Sequence, residues 1–113
     1  MIPDVIASTF LVNDVFAKVL FDSGANQSFI NTSFFKFLNQ PLTKLQQECL
    51  VATANGESIK ITKILQGARI EILNHNFIAN LYPMNLAGFD IVLGMDWLIA
   101  NKAIILCDQK SIH

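Results

Sequence analysis

Val19-Leu20-Phe21-Asp22-Ser23-Gly24-Ala25 is the stretch on which the reading of this chain turns. An apolar, β-rich run stops abruptly at an acid, a hydroxyl, a glycine and a small residue. A carboxyl group at the end of a buried strand is poorly solvated, which favours its protonated form. Ser23 supplies a hydroxyl for the loop or for a facing loop. Gly24 lets backbone approach closely, so main-chain N–H groups can hold the carboxylate. Ala25 keeps the floor small. Taken alone, the segment reads better as a structural acid accepting the hydrogen bonds of a turn. Asp-Ser-Gly arises by chance in roughly 3% of chains of this length at average composition.

The flanking sequence is β-like. Val5 to Val12 is apolar and β-branched, Asn13-Asp14 is a turn signal, and Val15 to Phe21 resumes the run, which predicts a hairpin leading into Asp22. Ser28-Phe29-Ile30 reads as a brief strand. Asn31-Thr32-Ser33 offers N-cap chemistry for a short helix carrying Phe34, Phe35, Phe37 and Leu38, closed by Pro41. Cys49 to Ala54 and Ser58 to Ile64 flank Asn55-Gly56-Glu57, and Asn-Gly between β-rich runs is a strong hairpin signal. The arm Ile59-Lys60-Ile61-Thr62-Lys63-Ile64 alternates, with one wet and one packed face. Gly67 marks a bend or bulge, and Arg69 to Leu73 and Phe77 to Tyr82 form strands around Asn74-His75-Asn76. Phe89 to Gly94 is a buried strand ending in glycine, Met95 to Ala100 a short helix, and Ala103 to Leu106 a last strand. Two apolar strands therefore end in glycine-containing loops ahead of helices, as a half-domain repeat in which only the first copy, at Asp22, carries the acid.

The chain has 113 residues, enough for one domain and too few for two ordinary cores. No low-complexity linker interrupts it, so residues 1–113 are read as a single domain. Hydrophobic residues make up 52% and charged residues 15%, far from the composition of disordered segments. A domain this small buries only about two-thirds of its unfolded surface, so a partner is expected to cover part of the excess. Eight basic and nine acidic residues give a net charge of −1 with no basic stripe, which argues against nucleic-acid binding. No apolar run approaches the roughly 20 residues of a membrane span, and Met1-Ile2-Pro3-Asp4 lacks the features of a signal peptide. Cys49 and Cys107 are far apart and read as buried, reduced thiols in a cytosolic setting. His75 and His113 have no companions at ligand spacing, so neither a metal nor another cofactor is expected.

Phe21-Asp22-Ser23-Gly24-Ala25, Ser28-Phe29-Ile30, the Asn55-Gly56 hairpin and Ile91-Val92-Leu93-Gly94-Met95-Asp96-Trp97-Leu98 occur in this order. Together they resemble the retropepsin-like aspartic proteases, with the closest likeness to the protease domain of gypsy-type LTR retrotransposon polyproteins. The resemblance runs from about Val5 to Ile112. It implies an all-β fold with one or two short helices, a retropepsin-like acid protease barrel that carries one half-site per subunit. Asp22 would be the catalytic aspartate, with Ser23, Gly24 and Ala25 completing its loop and Ser23 standing where many relatives have Thr. Residues of about 49–64 would be the flap, with Ala54, Asn55 and Gly56 at its substrate-facing tip. Val92, Leu93 and Gly94 would be the second glycine element beneath the loop. Retroviral members often have Arg after that glycine; here the residue is Met95, so the ion pair made by Arg is absent or replaced. The implied activity is a homodimeric aspartic endopeptidase that cuts extended segments of its own polyprotein, located in the cytoplasm or in retroelement particles.

Other residues have simpler readings. Asp96 as a second acid would make a monomeric dyad, but it reads better as a helix cap ahead of Trp97. Asp90 reads as a turn residue, Trp97 as a core anchor, and Lys60 and Lys63 as solvated positions on the flap. Ser23 and Ser28 are not serine nucleophiles, since neither histidine has a supporting motif. Two rival functions are a silent or domesticated dimer that binds extended peptide without cutting it, and the retropepsin domain of a ubiquitin-pathway shuttle.

Overall fold

The computed structural model describes residues 5–52 and 56–101. The predicted strand over Ala103 to Leu106, Cys107, His113 and the flap residues Ala54 and Asn55 lie outside the described residues. Seven strands dominate, in agreement with the all-β expectation: β1 (Val5–Val12), β2 (Val15–Asp22), β3 (Phe29–Asn31), β4 (Thr43–Ala52), β5 (Ser58–Ile72), β6 (His75–Met84) and β7 (Ile91–Leu93). One short helix, α1 (Thr32–Phe35), follows β3, and a second, α2, occupies residues 95–101.

The hydrogen-bonded order is β1-β2-β7-β3-β6-β5-β4, and β1 also pairs with β5. Six strands thus close on themselves, and β4 extends outward along β5. The β1–β2 hairpin is in full register from Val5↔Asp22 to Val12↔Val15. Asn13 and Asp14 both have positive φ, 47° and 67°, as a two-residue turn of matching twist requires. Asn13 does more than turn. Its Oδ1 accepts from the Arg69 N–H at 2.8 Å, its Nδ2 donates to Gln40 Oε1 at 2.8 Å, and its own N–H reaches the Arg69 carbonyl. The β1–β5 ladder covers only Leu11↔Glu71 and Val12↔Ile70, so Asn13 bonds extend a short seam. Asn13→Ala is expected to lower unfolding free energy by about 1–2 kcal/mol, from two lost hydrogen bonds and a non-glycine residue left at positive φ. Urea denaturation reads this directly.

Three expectations need correction. The strands read as Ser58 to Ile64 and Arg69 to Leu73 are one 15-residue strand, β5. Gly67, at φ 72°, absorbs a register shift between Leu65 and Ala68 without ending the ladder. β5 pairs with β4 up to Ile64 and with β6 from Leu65 onward, so Ile64 and Leu65 are both buried and the simple alternation stops there. The turn predicted at Asn74-His75-Asn76 is Leu73-Asn74, both at positive φ, with His75 and Asn76 already in β6. The phenylalanine helix is a single turn of four residues. Asn31 caps it as predicted, while Phe37 lies beyond it and is exposed.

The main core runs through the barrel, with Val12, Val19, Ile30, Leu65, Ile70 and Leu81 almost wholly enclosed. Trp97 closes one end, stacked edge-on to Phe77 at 5.4 Å and tilted against Phe21 at 6.0 Å. Its role as a core anchor is as expected. A smaller cluster of Phe29, Val51, Ile61 and Val92 fixes the β4–β5 hairpin against the mouth of the barrel.

Candidate active site

β2 and β7 lie side by side and parallel, with Val19↔Ile91, Leu20↔Val92 and Phe21↔Leu93. Their ends therefore coincide, and Asp22 leaves β2 next to where Gly94 leaves β7. The two halves of the sequence repeat meet here. One strand end carries a carboxylate and the other a glycine.

Asp22 is half-buried, at the carboxyl end of β2. Its Oδ1 accepts from the Gly24 N–H at 2.9 Å, and its carbonyl accepts from the Ala25 N–H at 3.2 Å. This is the main-chain support expected of Gly24. A Cβ on Gly24 would lie 3.2 Å from Asp22 Oδ1, so the small residue keeps that oxygen accessible to the amide. Ser23 is exposed beside them.

Gly94 lies beneath this loop. A Cβ there would come within 2.2 Å of the Gln27 carbonyl oxygen and 2.7 Å of the Ala25 carbonyl oxygen, so only glycine fits. The Met95 N–H donates to the Ala25 carbonyl at 2.7 Å, and the Asp96 N–H donates to the Asn26 carbonyl at 3.1 Å. Val92 and Leu93 are buried in β7. Val92, Leu93 and Gly94 thus form a strand end packed directly against the backbone of the Asp22 loop. The position after it, Met95, contributes a backbone bond to the loop instead of an arginine side chain.

Asp96 is exposed, and it is not the cap itself: Gly94 accepts the first helical bond, from the Leu98 N–H at 3.0 Å. From inside the first turn, Asp96 Oδ1 accepts the Trp97 N–H at 2.7 Å and the Ser28 hydroxyl at 2.6 Å. The expected cap is thus corrected: the carboxylate supports the helix start from inside the first turn, and it also holds Ser28, which was not foreseen. Asp90 accepts the Lys18 N–H at 2.8 Å through its side chain, so it extends the β2 ladder in addition to turning the chain.

A cleft of about 350 Å³ opens between the loop and the first arm of the hairpin, lined by Gly24, Ala25, Asn26, Gln27, Phe29 and Leu50 to Ala52. Gln27 crosses toward that arm, its Nε2 donating to Cys49 Sγ at 3.3 Å. Burial and the neighbouring Cys49 push the Tyr82 phenol up, so it remains a neutral hydroxyl at ordinary pH. Asn26, Gln27 and Phe29, which line the cleft, were not among the site residues read from the sequence, because the cleft forms only where their segment meets the distant Leu50 to Ala52. Gly56, just before β5, has φ 86°, in the left-handed region that glycine enters without strain. Among the described residues no group of three His, Cys, Asp or Glu could hold a metal ion, and no helix is long and apolar enough to cross a membrane.

A family model described as retroviral aspartyl protease matches residues 1–113. The EIAV protease, solved with the inhibitor HBY-793, superposes with a TM-score of 0.67 at 17% identity, covering 86% of this chain and 88% of that one. The retroviral protease-like domain of Ddi1 from Leishmania major gives a TM-score of 0.62 at 16% identity, covering 90% of this chain and 77% of that one. Comparison with curated protein sequences finds no match. The barrel is thus the retropepsin-like fold that the sequence motifs implied.

Proposed function

Because this chain belongs to the retroviral aspartyl protease family, we propose that it is an aspartic endopeptidase, active as a homodimer through a shared pair of Asp22 side chains. One observation carries the reading. The two parallel strand ends that meet at the loop bear Asp22 and Gly94, so a single chain offers one acid where the chemistry needs two. A second copy supplies the other.

Two carboxyl groups brought into contact across a two-fold axis cannot both ionise, so the pair shares one proton. The ionised member takes a proton from a water held between them, and the water oxygen bonds to the scissile carbonyl carbon. The protonated member polarises the carbonyl oxygen and then donates toward the leaving amine as the C–N bond breaks. The substrate is an extended peptide, laid as a strand along the cleft beneath the β4–β5 hairpin. Its natural source is the polyprotein of a retroelement, processed inside the cell or its particles.

A dimeric enzyme has a simple kinetic signature. Specific activity is expected to fall as the protein is diluted, in step with dissociation measured by analytical ultracentrifugation. A strict monomer that cleaves at full rate would rule out the shared site. The rival reading is a dimer that binds peptide without cutting it. Incubation with a peptide library at mildly acidic pH, with and without pepstatin, separates the two: pepstatin-sensitive products support the protease.

A further inference from the structure

We infer that Ser28 and Asp96 are a positioning pair that holds the Asp22 loop in its working geometry, acting through Gly94. The inference rests on the aspartic protease reading and assigns work to two residues that it leaves unused.

Ser28 is the one fully buried polar side chain among the described residues, 1% exposed. Its Oγ accepts from the Gly94 N–H at 3.0 Å. A hydroxyl has one proton to give, and Ser28 gives it to Asp96 Oδ1 at 2.6 Å. The same oxygen accepts the Trp97 N–H at 2.7 Å, which fixes the carboxylate to the first turn of α2. The relay therefore has a fixed direction, from the Gly94 amide through the Ser28 hydroxyl to Asp96. It joins segments 68 residues apart in the chain.

Everything this relay secures lies under the catalytic loop. Gly94 fits only against the Gln27 and Ala25 carbonyls, and the following two amides hold Ala25 and Asn26. Ala25 and Gly24 in turn donate to Asp22. Ser28 is also where the loop enters β3, so it anchors the far end of the segment that Asp22 begins. Without an acceptor at 96, the Ser28 hydroxyl is buried with an unused proton and its orientation toward Gly94 is no longer fixed. The consequence is a displaced loop and a poorly aimed Asp22. Asp96 makes these contacts with an oxygen that the amide of asparagine also possesses, so the acceptor matters and the charge does not. This separates a positioning residue from a second catalytic acid.

The test uses the full chain as a dimer, with Asp96→Ala, Asp96→Asn and Ser28→Ala measured by steady-state cleavage of a peptide and by amide hydrogen exchange over residues 22–28. Asp96→Ala and Ser28→Ala should lower kcat by about 10- to 100-fold, the scale on which small misplacements act, with KM changed less than about threefold. Both should speed exchange at Gly24 and Ala25. Asp96→Asn should keep kcat within about threefold of the parent and leave loop exchange unaltered. An Asp96→Ala enzyme with parental kcat overturns the inference, and so does an asparagine variant as impaired as the alanine one. Ser28→Ala is the variant at risk of not folding; the exposed Asp96 substitutions answer the question without it. If the parent chain proves unable to cleave, the protease reading fails, and the exchange arm still decides this one: loop amides loosened by alanine and not by asparagine support the pair, and unchanged amides refute it.

Discussion

Asp22→Asn is expected to reduce peptide cleavage by about 10²- to 10⁴-fold, the usual contribution of positioned acid–base catalysis, and in practice to background. In the proposed homodimer both copies would carry the change, so no carboxyl group would remain to take or give a proton. The fold should survive. An asparagine Oδ1 can still accept the Gly24 N–H, and the Ala25 bond goes to the backbone carbonyl, which the substitution does not touch. Unfolding free energy is therefore expected to stay within about 1 kcal/mol of the parent. Peptide binding should persist, since the cleft is lined by residues outside the carboxyl group. Cleavage at parental rate would end the assignment of Asp22 and with it the protease mechanism.

Gly94→Ala is expected to be the most damaging small substitution in the described residues. The added methyl would sit 2.2 Å from one carbonyl oxygen and 2.7 Å from another, and both belong to backbone that cannot rotate away. Overpacking a core site costs about 1–3 kcal/mol, and a backbone obstacle places this variant at or above the top of that range. There are two ways to relieve it. Either β7 shifts against β2, which breaks the parallel ladder, or the loop lifts, which carries Asp22 with it. Both lower activity. Urea denaturation measures the first cost, and kcat on the population that remains folded measures the second. A variant as stable and active as the parent would mean that Gly94 does not buttress the loop.

How much of this was legible in the sequence depends on the range over which each feature is encoded. The β1–β2 hairpin is local: Asn13-Asp14 tolerates positive φ and lies between two β-rich runs, so its register follows. The loop at Asp22 and the glycine at 94 are also local patterns, and the family motifs tied them together. The long strand β5 was cut in two because Gly67 looks like an ending. A glycine at positive φ can as well be a bulge, and only pairing with β6 tells which. The phenylalanine cluster after Asn31 has helical spacing, yet burial of Phe34 and Leu38 needs only one helical turn followed by a bend. The bond from Ser28 to Asp96 was invisible for a different reason. It spans two segments whose polar residues each have an adequate local explanation, one as a strand start and the other as a helix cap. Cleft walls such as Gln27 against Cys49 have the same non-local origin.

The single strand that crosses from barrel to hairpin has a mechanical consequence. From Leu65 onward β5 is held by β6, with β1 joining on its other edge at Ile70 and Glu71, and up to Ile64 it pairs with β4 alone. The hairpin over the cleft is thus a cantilever built into the wall of the barrel. Any opening would bend continuous strand near the clamp, against Ile64 buried at the root and against Ile61 and Val51, which pack on Phe29 and Val92. For the proposed protease, the rate at which peptide enters and product leaves would then be set by how tightly that root is packed.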